Sequence, residues 1–178
     1  NVDGGKGRHK LKNTPGMVGF MTNGFFVNAG RDYRVIGMHV TAEDRLFLFT
    51  NLNDNLTVYE IFEDGTYTLV VATLAITGGT DESGKVADNG SLMCCVTGTD
   101  AVFIDPDAAA PSVVQITDPD FPTGVFDVYY KDTYFVWLDS ATDRFYISTS
   151  NATDPTDCVN ALDFGTVESN PDAIKGII

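Results

Sequence analysis

The sequence predicts an all-β protein assembled from β-propeller blades, and three observations carry that expectation. Residues that fit a pleated surface dominate: Val, Ile, Thr, Tyr, Phe and Trp number 67, against 44 for Ala, Leu, Glu, Lys, Gln, Arg and Met. Strand-length apolar runs recur along the chain, each bounded by Asp, Asn or Gly. A plan of short strand, polar turn and stronger strand then repeats with Leu46, Leu92 and Tyr134 in matching places, separated by 46 and 42 residues.

The elements follow in order. Strands are expected over 33–40, 45–52, 56–62, 66–76, 91–96, 101–105, 112–117, 125–130, 133–138 and 144–149. Within 56–63 the alternating positions read Leu, Val, Glu, Phe and Thr, Tyr, Ile, Glu, so neither side is cleanly polar and both faces should be covered. The stretch 154–162 gives the only helical signal, amounting to one turn.

The first unit runs from Met38-His39-Val40 through Ala42-Glu43-Asp44 into 45–50. The second joins Val86 through Asp88-Asn89-Gly90 to 91–96, and the third joins Val128-Tyr129-Tyr130 through Lys131-Asp132 to 133–138. Each continues into another turn and a third strand. A β-sandwich also alternates strands with turns but requires no fixed offset, whereas propeller blades do. At roughly 44 residues per blade the chain holds about four units, the lower limit for closing a ring. The expectation is therefore an incomplete propeller: a basic, Gly-rich arm over 1–16, then blades over 17–178 that continue beyond the given chain. The apolar ending Gly176-Ile177-Ile178 reads the same way.

Charge narrows the function classes. Twenty-five Asp and Glu against eleven Lys and Arg give a formal charge of −14, which excludes a basic DNA-reading domain. No apolar run approaches the length of a membrane-spanning helix. Against this acidic background Lys6, Arg8, Lys10 and Lys12 put four bases into the first twelve residues, with Asp3 the one acid. They are the candidate partner-docking residues, suited to an acidic surface or to DNA phosphate.

Catalytic chemistry is sparse, and no enzyme is expected. His9 lies in the basic leader and His39 inside a strand, where a structurally satisfied imidazole is the simpler reading. No Ser lies in a G-x-S-x-G elbow. Cys94 and Cys95 are adjacent and lack the C-x-x-C spacing of zinc or redox sites, so they and Cys158 read as buried reduced thiols. The pairs Asp105-Pro106-Asp107 and Asp118-Pro119-Asp120 read as turn chemistry, with Asp accepting from backbone N–H and Pro fixing φ. No window matches a calcium loop, and neither a metal nor a cofactor is expected.

Several segments occur in one order: Thr14-Pro15-Gly16-Met17, Ala87-Asp88-Asn89-Gly90, Thr117-Asp118-Pro119-Asp120-Phe121-Pro122, Tyr134-Phe135-Val136-Trp137, Phe145-Tyr146-Ile147-Ser148 and Ala161-Leu162-Asp163-Phe164 through Glu168-Ser169-Asn170-Pro171-Asp172. From about Thr14 to Ile178 the chain resembles the N-terminal part of the packaged-DNA stabilisation, or tail hub and nozzle, proteins of short-tailed bacteriophages. The resemblance implies a structural virion protein, usually a hexameric ring, mounted in the tail below the portal and adaptor. There it would form part of the DNA exit channel, retain the genome and contact other tail proteins such as fibres, spikes or a needle. It would be assembled in the host cytoplasm. The family has no catalytic residues to carry over. Cys94-Cys95 and the polar loop 77–85 depart from its pattern. The competing expectation is a tail-associated propeller that binds or degrades glycans, which would need clustered acids with Arg, Trp or Tyr at a channel mouth.

Overall fold

The computed structural model describes residues 33–52, 54–76, 84–97, 100–108 and 112–166. Within these residues twelve strands form three four-stranded antiparallel sheets, each a meander in chain order. Blade 1 comprises β1 (Tyr33–Val40), β2 (Leu46–Leu52), β3 (Asn55–Ile61) and β4 (Tyr67–Ala75). Blade 2 comprises β5 (Lys85–Asp88), β6 (Met93–Val96), β7 (Ala101–Asp105) and β8 (Ser112–Gln115). Blade 3 comprises β9 (Val125–Lys131), β10 (Tyr134–Asp139), β11 (Arg144–Ser148) and β12 (Val159–Thr166). The chain is all-β and built of β-propeller blades. The first strands neighbour one another, β1 beside β5 and β5 beside β9, as strands along a common inner side must.

Two seams hold the blades together, and strand periodicity assigns residues to them. Successive side chains of a strand point to opposite faces. Met93 and Cys95 of β6, with Val102 and Ile104 of β7, therefore pack on Ile36, Phe47, Phe49, Leu56, Val58 and Val70 of blade 1. Their alternates Cys94, Val96, Ala101 and Phe103 pack on Val125, Val128, Phe135, Trp137 and Val159 of blade 3. Blade 2 is thus buried on both faces, which is why 93–96 is apolar without interruption.

The repeat found in the sequence holds at the level of strands. Residues 45–50, 91–96 and 133–138 form or overlap the second strand of their blades, with 56–62, 101–105 and 144–149 at the third. It fails at the level of faces for one unit: Leu46 pairs with Val40 on the side of blade 1 turned away from blade 2, whereas Leu92 packs towards blade 3. The turn before β2 is longer than that before β6, and a shift of one residue reverses every side chain in a strand. The single helical turn expected at 154–162 is also corrected. Asp154 makes an Asx-type turn, its Oδ1 accepting from the Thr156 N–H at 2.8 Å, and the chain then enters β12.

Seam 1–2 closes tightly at the first strands. A Cβ on Gly37 would lie 2.8 Å from the backbone oxygen of Gly84, so this crossing tolerates only glycine. Farther out, Arg45 spans the seam: its Nε donates to Glu60 Oε1 at 2.8 Å and its Nη1 to Asp107 Oδ1 at 2.7 Å. The Glu60 hydrogen bond is the main influence raising the guanidinium pKa, so Arg45 stays charged in its clamp.

Candidate functional site

The neighbouring first strands create a concave surface. A groove of about 430 Å³ is lined by His39 from β1, by 85–88 of β5 and by 127–130 of β9. His39 faces the seam because it pairs with Phe47, which is itself on that side. Its Nε2 donates to Asp88 Oδ2 at 2.5 Å, joining blades 1 and 2 across 49 positions of sequence. The second Asp88 oxygen accepts from the Gly90 N–H at 3.1 Å and shapes the β5–β6 turn. The expected satisfied imidazole is therefore present, and its partner lies on another blade.

Blade 3 supplies the other wall. Asp127 is nearly buried; its Oδ2 accepts from the Tyr129 hydroxyl at 2.9 Å and its Oδ1 from the Val128 N–H at 3.0 Å. The Tyr130 hydroxyl donates to Asn151 Oδ1 at 3.2 Å, which ties the groove to the loop after β11. Lys85 stands exposed between these groups. The arrangement combines two carboxylates, two phenol rings, an imidazole and an ammonium group: a surface for polar recognition.

The three cysteines are not poised as nucleophiles. Cys94 is fully buried, and desolvation pushes its thiol up to about 12 even though the Trp137 indole N–H, 3.4 Å from Sγ, pulls the other way. Burial also raises Cys95 and Cys158. Adjacent Cys94 and Cys95 belong to opposite seams, so their proximity in sequence makes no shared site. Among the described residues no group of three or more His, Cys, Asp or Glu side chains is placed to hold a metal ion, and no helix is long and apolar enough to cross a membrane.

Both Asp-Pro-Asp motifs form the expected turns, and one does more. Asp105 Oδ1 accepts from the N–H groups of Asp107 and Ala108. Asp118 Oδ1 accepts from Asp120 N–H at 2.8 Å, while its Oδ2 accepts from Cys158 N–H at 2.6 Å and Val159 N–H at 2.8 Å. That second oxygen anchors the start of β12 to the link between blades 2 and 3. Lys6, Arg8, Lys10 and Lys12, the docking residues expected from sequence, lie outside the described residues. The groove was missed because nothing local connects His39, Asp88 and Asp127; only the fold brings them together.

No protein-family model matches the chain, and no curated protein matches its sequence. Among solved structures the chain is similar to one in a crystal structure of a nidogen/laminin complex, with 15% identity over 67% of this chain and a TM-score of 0.44. The match spans 44% of that structure's chain, less than half its length.

Proposed function

We propose that this protein is a non-catalytic structural subunit of a short-tailed phage tail, contributing propeller blades to the hub or nozzle around the DNA exit channel. The supporting observation is the electrostatic character of the blades. Arg34, Arg45, Lys85, Lys131 and Arg144 are the basic residues among the described ones, and Arg45 is already clamped by two carboxylates. An acidic wall repels phosphate over about 8 Å at physiological salt, so duplex DNA passes without adhering. Buried thiols and rigid seams suit a load-bearing part. In this reading the subunit forms a homo-oligomeric ring, contacts the portal and adaptor above and tail fibres, spikes or needle below, and resides in the virion tail. Antibody to the chain should label the tails of purified virions, and particles assembled without it should lose packaged DNA. Absence of label from intact tails overturns the reading.

The inner groove favours one second reading. Asp88 and Lys85 beside Tyr130 offer a carboxylate and an ammonium group for vicinal hydroxyls and a ring face for sugar C–H groups. A glycan-binding propeller blade set would use this surface. A glycan array and a polysaccharide-cleavage assay separate the two: specific retention lost in Tyr130→Ala supports the glycan reading, and no retention removes it.

A further inference from the structure

The turn between β5 and β6 holds an Asn-Gly pair whose reacting atoms each meet a suitable group. Asn89 Oδ1 accepts from the Ser91 N–H at 2.9 Å and from the Leu92 N–H at 2.7 Å, and the Asn89 N–H closes the turn onto the Leu92 carbonyl at 3.0 Å. The Gly90 N–H donates to Asp88 Oδ1 at 3.1 Å. Gly90 is exposed with φ +88°, and among the described residues nothing but its chain neighbours lies within 4 Å of where a Cβ would stand. No other Asn among the described residues precedes a glycine; Asn23-Gly24 lies outside them. These contacts are what attack of the Gly90 nitrogen on the Asn89 side-chain amide requires. The attacking N–H must give up its proton, and a carboxylate is hydrogen-bonded to it. Negative charge then develops on Oδ1, where two backbone N–H groups already point. Glycine puts no side chain in the way of ring closure, and the open space beside it admits water.

We propose that Asn89 is a self-modification site: the β5–β6 turn converts it, through a succinimide, to a β-linked aspartate, with water as the only co-reactant. In the first step a bond forms between the Gly90 nitrogen and Asn89 Cγ, and the Cγ–Nδ2 bond breaks. Asp88 Oδ1 takes the Gly90 proton and returns it to the departing amine, which leaves as ammonia. Water then adds to the main-chain carbonyl carbon of the ring and breaks the bond from that carbon to the Gly90 nitrogen. That carbon becomes a carboxylate, and its proton goes to solvent. In the product the former Oδ1 is the carbonyl oxygen of the new peptide link and keeps its place before the Ser91 and Leu92 N–H groups. The new carboxylate stands one residue from Asp88, whose Oδ2 holds His39 across seam 1–2. Conversion therefore lengthens the turn and adds negative charge beside the seam.

The test incubates the full chain at neutral pH, folded and unfolded in urea at one temperature, and follows residue 89 by peptide mapping. Mass reports ammonia loss and then the change from amide to acid, and an isoaspartyl methyltransferase labels the β-linkage. The folded chain is expected to convert at residue 89 no more slowly than the unfolded chain and to yield β-linked product. Asp88→Asn keeps an acceptor for the Gly90 N–H but removes the base, so it should slow conversion about tenfold or more in the folded chain while changing the unfolded rate little. Gly90→Ala should slow conversion in both states, which assigns the attack to that nitrogen. Slower conversion in the folded chain than in the unfolded one means that the same hydrogen bonds protect the amide, and it overturns the proposal. A folded-state rate untouched by Asp88→Asn overturns it as well. If Asp88→Asn loosens the fold, seen as lost circular dichroism, the comparison of folded with unfolded rates in the parent chain decides alone.

Discussion

At the scale of single residues, Asp118 and the cysteines show how burial changes what a side chain contributes. One Asp118 oxygen makes the turn that the Asp-Pro-Asp pattern announces, and the other holds two backbone N–H groups 40 and 41 positions away. The turn was legible in the sequence; the long-range anchor was not, because no local pattern specifies which distant N–H groups a carboxylate will meet. Asp118→Ala leaves buried donors unpaired and is expected to cost about 2–4 kcal/mol, measured by urea unfolding. Asp120→Ala, which frees only the exposed Ala161 N–H, should cost clearly less. The thiols give a pH prediction. Desolvation raises Cys94 to about 12 in the fold, while an unfolded thiol titrates near about 8.5. Below the unfolded value both states hold the proton and no stability is lost. Above it the unfolded chain releases protons that the folded chain keeps, so stability falls by about 1 kcal/mol per pH unit for this group until pH reaches the folded value. Thermal melts from pH 7.5 to 11 should show the decline, to which the raised Cys95 and Cys158 also contribute, and Cys94→Ala should make it shallower without abolishing it, after an initial loss of stability. Rapid labelling of native Cys94 at neutral pH contradicts the burial on which this rests.

At the scale of strands and seams, legibility followed burial. The central strands were readable because residues such as Phe47, Phe49, Cys94, Val96, Phe135 and Trp137 must be apolar to fill a seam. The outer strand β12 was not, since 160–163 is exposed, Gly165 weakens the β signal, and the Asp154-Pro155 turn before it imitates a helix start. The face of Leu46 was misread because the offset fixes which strands correspond but not the phase of each strand. The seam at Gly37 allows a direct check. A methyl group there meets the Gly84 carbonyl at 2.8 Å, so the first strands must separate or the backbone must move. Gly37→Ala is expected to destabilise by about 1–3 kcal/mol, the usual range for overpacking. It should also weaken the nearby His39–Asp88 link, visible as a shift of the His39 ring resonances relative to the parent chain. Unchanged stability together with an unchanged ring environment would mean that the crossing is looser than the geometry describes.

At the scale of the whole molecule, stability comes from stacking and interactions come from charge. The blades resemble units of a repeat protein, each relying on its neighbours to cover its faces, so losing blade 3 would uncover Cys94, Val96 and Phe103 at once. Charge imposes a second constraint. With a formal charge of −14 the chain gains nothing from long-range attraction to DNA or to another acidic surface. If it is mounted in a tail, contacts with acidic neighbours must come from its few bases, and Lys6, Arg8, Lys10 and Lys12 are concentrated in one short segment. A surface ion pair contributes about 0.2–1 kcal/mol, so no single base would anchor the subunit, but four acting together would, and salt would weaken them. Deleting residues 1–12 should therefore reduce incorporation into tails and retention of packaged DNA, more at low than at moderate ionic strength, with the thermal stability of the isolated chain unchanged. The matched control replaces the same four bases with Gln and should reproduce the defect, which ties it to charge rather than to length. Normal incorporation and DNA retention at both salt concentrations would remove the docking role from these bases, and the acidic-conduit reading would then need its attachment point elsewhere on the blades.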